Sequence, residues 1–321
     1  MSLLRRWTNE SERLHISGDG ASVDGWVQAL PGDKGGATLN PGAGHFRPGM
    51  FESCANPDCR SGWLHLWRSR SVPAFEDGWT CSPDCTFARM RIAIKRELDG
   101  RISVRESHRH RIPLGLLMLE QGWITQIQLR KAIDAQKSAG TGRIGEWLVK
   151  QCAVNDSMVT RALGLQWSCP VLPLEFHDTA AVTVVMPRLF VDAYGALPLR
   201  VAAGKLLYLG FEECLDPMLA LAIERMTGLR VESGVVQASQ FGPAHKRMLD
   251  AKFPPVELIE AVSEPAAAHA LSRSVERARP VASRLVRVHE CLWLRMWLRA
   301  QGQSLPEMSS IKDVVCSVGA L

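Results

Sequence analysis

The chain has 321 residues, of which 46% are hydrophobic and 22% charged, with a formal net charge of +5 and nine cysteines. This composition excludes a wholly disordered chain and leaves room for two or three domains. The amino-terminal sequence MSLLRRWTNESERLH lacks the apolar core of a signal peptide, and no apolar run approaches the ~20 residues that span a bilayer. We therefore expect a cytoplasmic protein whose cysteines are thiols or metal ligands rather than disulfides.

The first fifty residues are rich in glycine and proline. Residues 16–49 hold nine glycines together with Pro31, Pro41 and Pro48, and they follow neither the helical nor the strand period. Glycine loses the most conformational freedom on folding, and this segment has little apolar surface to offset that loss. The sequence therefore predicts a flexible arm over residues 1–50.

Four cysteines form two close pairs in the next segment, residues 51–100. Cys54 and Cys59 are separated by four residues, and Cys81 and Cys85 by three. Two such pairs can place four sulfurs around one zinc ion, and the spacing resembles that of treble-clef zinc fingers, with a wider first pair. A region this short cannot bury enough apolar surface to fold alone, so we predict a structural zinc site with four cysteine ligands. The finger's own small core would consist of four aromatic side chains, Trp63, Trp67, Phe75 and Trp79.

A basic segment overlaps the end of this region. Residues 87–112 hold eight lysines and arginines against three acids. A helix there would carry Arg89, Arg91, Lys95 and Arg96, and such cations contact the phosphates of nucleic acids. A zinc-finger regulator that binds nucleic acid is therefore an alternative function for this chain.

Residues 113–166 contain an internal repeat. The stretch PLGLLMLEQGWITQIQLRKAIDAQ, residues 113–136, aligns with RIGEWLVKQCAVNDSMVTRALGLQ, residues 143–166, at an offset of 30. Each unit predicts two short helices. The turns are predicted at Gly122 and Ala153, and the helix caps that follow them at Thr125 and Asn155.

From residue 170 to 250 the predicted strands and helices alternate. GALPLRV and KLLYLGF read as two strands joined by a tight turn. A helix follows, with Asp216 as its cap and Gly228 just past its end, and then the strand RVESGVVQ and the helix SQFGPAHKRMLD. This part of the chain is predicted to be a small α/β sandwich.

The last seventy residues are predicted to be mainly helical. PPVELIEAVSEPAAA is expected to be a linker, residues 265–303 a helical region, and residues 304–321 a tail. Arg284, Arg287, Arg295 and Arg299 would follow one side of an amphipathic helix. The predicted fold class is α+β multidomain, with a small zinc finger, a helical repeat subdomain plus a small α/β sandwich, and a helical C-terminal tail.

The repeat and the strands and helices after it carry a family resemblance. Residues 111–250 resemble the N-terminal domain of type II secretion and type IV pilus assembly ATPases, the GspE/MshE N-terminal domain family. That family has a helical subdomain followed by a small α/β sandwich, which agrees with the elements predicted above.

The resemblance also implies a candidate ligand, cyclic di-GMP. Some members of the family bind it through tandem units of 24 residues that open with Arg-Leu-Gly and close with Gln. The matching positions are Arg143, Ile144, Gly145 and Gln166 in the second unit, and Leu114, Gly115 and Gln136 in the first. Pro113 stands where the first unit's arginine would be and offers no donor. Two helical hairpins that simply pack on each other account for the same pattern, and this alternative stays open.

The sequence lacks a motif for ATP hydrolysis. There is no G-x-x-x-x-G-K-[ST] phosphate loop in the chain, and no nucleophile arrangement is evident. We therefore expect a non-catalytic adaptor or regulatory protein that docks on a protein partner, with secretion or pilus machinery as the partner that the resemblance implies.

Overall fold

The computed structural model describes residues 54–60, 73–76, 78–100, 112–175, 177–300 and 305–319. The predicted arm over residues 1–50, and Trp63 and Trp67, lie outside the described residues. Within them the chain mixes helices and sheets, so the predicted α+β fold class is confirmed. No helix in this part of the chain is long and apolar enough to cross a membrane.

The cysteine-bearing segment forms a short hairpin followed by a long helix. Strands β1 (Ala74–Phe75) and β2 (Gly78–Trp79) pair antiparallel, and helix α1 runs over Pro83–Asp99. The side chain of Ser82 caps α1 by accepting a hydrogen bond from the backbone N–H of Cys85. This local sequence fixes the start of α1 beside the second cysteine pair.

The repeat folds into two helical hairpins, as predicted. The four helices are α2 (Leu114–Glu120), α3 (Gln126–Ala139), α4 (Ile144–Cys152) and α5 (Asp156–Trp167). Thr125 caps α3 in a capping box, and Asn155 caps α5. The turns before these caps contain Gly122 and Ala153, both with left-handed backbone, at φ 68° and 51°. The apolar positions of both units meet in one small core.

The predicted elements of the α/β part are also present. They are β3 (Ala196–Ala202), β4 (Leu206–Phe211), α8 (Pro217–Thr227), β5 (Arg230–Val235) and α9 (Ala238–Leu249). Two short helices that were not predicted, α6 (Thr179–Val182) and α7 (Arg188–Ala193), precede them. Strand β4 lies in the centre, antiparallel to β3 and parallel to β5. Asp216 caps α8, and Gly228 ends it in the left-handed conformation at φ 71°.

The C-terminal part of the chain differs from the prediction. Its elements are β6 (Val256–Ala261), α10 (Glu264–Ala278), β7 (Ala282–Val288), β8 (Cys291–Trp297) and β9 (Ile311–Val318). The predicted linker therefore contains β6, the helical region predicted over residues 265–303 is helical only in α10, and the predicted tail contains β9. These strands form one sheet in the order β6-β9-β8-β7, so β9 lies inside it.

The segment predicted to be an amphipathic helix is the β7–β8 hairpin. The prediction was wrong because both faces of these strands are buried. One face of the C-terminal sheet packs on α1 and α10, and the other packs on the α/β part. Strands buried on both faces have near-continuous apolar runs, which periodicity does not separate from a buried helix. The turn lies at His289, with φ 50°, where the sequence has no Gly, Asn or Asp to mark it. Arg284, Arg287 and Arg295 consequently lie on strands.

Candidate functional site

Four thiols converge between the hairpin and the first turn of α1. The sulfurs of Cys54, Cys59, Cys81 and Cys85 all lie within 4.8 Å of one another. The Sγ of Cys81 is 3.5 Å from the Sγ of Cys59 and 3.6 Å from that of Cys85. A zinc ion bound at about 2.3 Å holds its four sulfurs about 3.8 Å apart, so this cluster has the dimensions of a tetrahedral zinc site.

Hydrogen-bond donors and burial act in opposite directions on these thiols. The backbone N–H of Cys81 points at the Sγ of Cys54 at 3.4 Å, and the side-chain amide of Asn56 donates to the Sγ of Cys85 at 3.3 Å. Burial, reinforced by the neighbouring sulfurs, raises the pKa of Cys81, and burial also raises the pKa of Cys54. Burial therefore favours the neutral thiols, whereas a bound divalent cation would favour the thiolates because it binds them. Four thiolates would fill its coordination and leave no open position for a substrate.

The cysteine-bearing segment shares its core with the C-terminal sheet. Trp79 packs beside the cysteines. Phe75, which the sequence assigned to the finger's own core, belongs instead to the cluster that joins α1 to the sheet. Met90, Ala93 and Ile94 of α1 are buried in that same cluster. The thiol cluster therefore lies at one end of a helix whose remaining length is a layer of the C-terminal domain.

Near its C-terminal end α1 carries a buried carboxylate that contacts two other parts of the chain. The side chain of Glu97 is 2% exposed and accepts hydrogen bonds from both terminal nitrogens of Arg225, on α8, at 2.6 and 2.9 Å. The backbone N–H of Arg287, on β7, donates to it at 3.1 Å. Burial opposes ionisation of this carboxyl, but the donors and the charge of Arg225 outweigh it and lower the pKa of Glu97. Glu97 thus holds α1 against both α8 and β7.

Only part of the basic segment predicted to contact nucleic acid lies in α1, and its residues 101–111 lie outside the described residues. The guanidinium of Arg96 pairs with both carboxylate oxygens of Glu76, at 2.7 and 2.8 Å, and with Glu97. Arg91 and Lys95 remain exposed on α1. Arg96 therefore pairs with two carboxylates although its side chain is 48% exposed, and the phosphate contacts of α1 stay a prediction.

The two glycines of the repeat motif have a packing role. Gly115 and Gly145 are both buried. A Cβ on Gly115 would lie 2.5 Å from Cδ1 of Leu129, and one on Gly145 would lie 2.8 Å from Cγ1 of Val159. A larger residue at either position would therefore force the facing side chain to move. The adjacent motif residues that pack on the same small core are Leu114 and Ile144.

The closing glutamines of the motif bond across the repeat. The amide nitrogen of Gln136 donates to the carbonyl of Gly142 at 2.8 Å, and that of Gln166 donates to the carbonyl of Ile112 at 2.8 Å. Ile112 and Gly142 are equivalent, since each directly precedes the opening residue of its unit. These two bonds are related by the repeat and tie the end of each unit to the beginning of the other.

Arg143 lies at the seam between the helical hairpins and the α/β part. Its guanidinium forms an ion pair with Glu213, in the loop after β4. Burial raises the pKa of Glu212 beside it, and the charges of Glu146 and Asp156 add to the rise. A carboxylate oxygen of Asp156 also crosses the seam and accepts a backbone N–H in the first turn of α9 at 3.0 Å. Arg143 is thus a counter-charge for several carboxylates as well as a residue of the motif.

The sequence analysis missed a buried ion pair in the C-terminal sheet. Arg295 and Asp313 face each other on β8 and β9, with side chains 1% and 0% exposed, and form two bonds of 2.8 Å. The indole N–H of Trp293 donates to Asp313 at 2.9 Å. Arg295 also donates to the carbonyls of Val184 and Val185, at 2.8 and 3.0 Å. The only sequence signal was the presence of charged residues inside two apolar runs, one in CLWLRMW and two in IKDVVCSV.

The helical hairpins and the α/β part have recognisable relatives. This part of the chain is similar to the ATPases of secretion and pilus assembly, and the resemblance predicted from the repeat is confirmed. The particular relative is the type IV pilus assembly ATPase PilB of Myxococcus xanthus (strain DK1622), 28% identical over 148 residues. The match covers 45% of this chain and 25% of the relative, so the chain spans about a quarter of that protein's length.

Two solved structures also match part of the chain. The structure of MshE with cdg shares 24% identity, with a TM-score of 0.35, and the similarity covers 43% of this chain and 99% of that one. The N-terminal domain of XpsE shares 15% identity, with a TM-score of 0.29, over 42% of this chain and 92% of that one. No family model matches the chain.

Proposed function

We propose that the chain is a non-catalytic adaptor or regulatory protein that docks on a component of type II secretion or type IV pilus machinery. The observation that carries this proposal is the match to a pilus assembly ATPase over a quarter of its length, in a sequence without a G-x-x-x-x-G-K-[ST] motif. The four-cysteine cluster is proposed to hold a structural zinc ion. The similarity to a pilus assembly ATPase is what points to this machinery as the partner.

An apolar surface on the helical hairpins is the proposed docking site. Leu116 on α2 and Leu165 on α5 are each 51% exposed. The bond from Gln166 to the carbonyl of Ile112 brings the end of α5 beside the start of α2. Large apolar side chains exposed together mark protein interaction sites more often than single ones do.

Cross-linking with mass spectrometry tests this docking. The purified chain is mixed with cytoplasmic components of the pilus and secretion machines, and cross-links are expected between one of them and residues 112–250. Leu165→Asp should reduce the cross-linked fraction about tenfold, the effect of losing one apolar anchor of an interface. Ile92→Asp is the matched control, because Ile92 is 47% exposed on α1, outside the hairpins. Cross-links with none of these components, or equal effects of both variants, would rule the proposal out.

Cyclic di-GMP is a second candidate, as a ligand that regulates docking. The observation that favours it is the second unit of the motif, where Arg143, Gly145 and Gln166 keep the family spacing. The ion pair with Glu213 competes for the same guanidinium. Ligand binding would therefore draw Arg143 away from the seam.

Titration calorimetry of three variants tests this ligand. Glu213→Gln should bind cyclic di-GMP several-fold more tightly than the unmodified chain, because Arg143 loses its competing carboxylate. Arg143→Ala should weaken binding about tenfold, as expected for loss of a charge-assisted bond. The control is Arg130→Ala, an exposed arginine on α3 that should change nothing. If neither the unmodified chain nor Glu213→Gln releases heat, the ligand is excluded and the adaptor role is unaffected.

A further inference from the structure

The C-terminal sheet has two edges, and the described residues cover one of them. Along β7, the backbone N–H of Glu76 donates to the carbonyl of Ser283 at 2.8 Å, and the hydroxyl of Ser283 donates to the carbonyl of Ala74 at 2.8 Å. The other edge is β6, which pairs only with β9. Among the described residues, no group bonds to the outer backbone of β6.

The pairing with β9 determines which backbone groups of β6 face outward. The N–H of Asp313 donates to the carbonyl of Pro255, and the N–H of Gly319 donates to the carbonyl of Ala261. Because backbone groups alternate along a strand, the odd-numbered residues of β6 face β9. The N–H and C=O groups of Val256, Leu258 and Glu260 therefore face outward, six groups over one strand without a proline or a bulge.

We propose that two copies of this chain pair antiparallel through β6, about a twofold axis that passes beside Leu258. The two sheets then form one continuous sheet of eight strands. In this register Leu258 faces Leu258 of the second copy, and Val256 of each copy faces Glu260 of the other. All six outward groups of each strand bond, because these three positions form the hydrogen-bonded pairs of an antiparallel ladder.

The side chains select this register over its neighbour. A twofold axis between Leu258 and Ile259 would place Glu257 opposite Glu260, and like charges directly opposite each other destabilise a strand pair. That axis would also pair outward backbone groups with inward ones. With the axis at Leu258, Glu257 faces Ile259 of the second copy and keeps its own ion pair with Lys312, at 2.8 Å.

A second copy is the occupant that this edge fits. The outward backbone groups of the strand are self-complementary about Leu258, and the register places neither glutamate opposite another. Val262, which is 89% exposed directly after the strand, would be covered by the beginning of the other copy's strand. Open strand edges pair readily with other strands of suitable register. A pair of six-residue strands buries less than the ~1,200 Å² of a standard stable interface, so the dimer should dissociate at low micromolar concentration.

Analytical ultracentrifugation over a range of concentrations tests the dimer. The unmodified full chain should pass from monomer to dimer between about 1 and 100 μM. Glu260→Pro removes one outward N–H from each copy and no bond to β9, and should weaken dimerisation at least about tenfold. Glu260→Ala keeps the N–H and should dimerise like the unmodified chain. A chain that stays monomeric, or a dimer that Glu260→Pro leaves unchanged, would overturn the proposal.

Cross-linking tests the register independently of proline's effect on folding. Leu258→Cys should form a disulfide between copies under mild oxidation, because facing residues of a hydrogen-bonded pair have Cα atoms about 5.5 Å apart. Glu260→Cys should not, since its two copies would be about 13 Å apart. Mass spectrometry of the digested dimer distinguishes a disulfide at the introduced cysteine from disulfides that involve the native cysteines. A disulfide at position 260 in place of position 258 would show that the register is wrong.

Discussion

Removal of the proposed zinc ion, by a chelator or by Cys81→Ser, is expected to destabilise the C-terminal sheet as well as the cysteine-bearing segment. The substitution should lower the free energy of unfolding by on the order of 4 kcal/mol, the range in which loss of a metal site falls. Cys81 and Cys85 flank the start of α1, and the rest of α1 covers the sheet through Met90 and Ile94. Urea unfolding of the zinc-loaded chain, with zinc content measured in parallel, gives this value.

Amide hydrogen exchange shows where the destabilisation falls. After chelation, β7 and β8 should exchange faster, while α2 to α5 should not change, because the hairpin core shares no residue with α1. Cys214→Ser is the control, since Cys214 is an exposed cysteine outside the cluster and its replacement should cost less than about 0.5 kcal/mol. Equal stability with and without zinc would show that the cysteines do not hold a structural metal. Faster exchange confined to residues 54–81 would contradict the shared core.

Elements whose ends are encoded in a few neighbouring residues were predictable from the sequence. Thr125, Asn155 and Asp216 each accept a backbone N–H two or three residues ahead, and Gly228 adopts the left-handed conformation that ends its helix. These interactions depend on local chemistry, so a single sequence suffices to locate them. The cysteine spacing is local in the same sense, and the structure brings those four sulfurs together.

Features that depend on distant parts of the chain were not predictable. Strand β9 lies inside the C-terminal sheet, paired with β6 more than fifty residues before it, and its burial on both faces comes from α1, α10 and the α/β part. Likewise, alignment of the repeats identified Gln136 and Gln166 as equivalent but did not show that each bonds to the other unit. Tertiary contacts decide such cases, and periodicity does not record them.

Asp313→Asn is expected to cost about 3–5 kcal/mol of unfolding free energy, the usual loss when one partner of a buried ion pair is removed. The amide keeps the shape of the carboxylate but leaves the charge of Arg295 uncompensated in the core, where its side chain is 1% exposed. Lys312→Met is the matched control on the same strand, because its pair with Glu257 is partly exposed and should contribute less than about 1 kcal/mol. Urea unfolding of both variants gives the comparison, and equal losses would show that burial adds nothing to the pair.

A double variant separates the contribution of the pair from the cost of breaking it. Arg295→Met with Asp313→Leu removes both charges and should be more stable than Asp313→Asn, because no unpaired ion remains in the core. Recovery should be partial, since the indole N–H of Trp293 loses its acceptor and the carbonyls of Val184 and Val185 lose their donor. Those carbonyls belong to the segment between α6 and α7, so Arg295 also fixes how the α/β part sits on the sheet. If the double variant matches the stability of the unmodified chain but cross-links differently to its docking partner, the ion pair serves the orientation of these two parts rather than their stability.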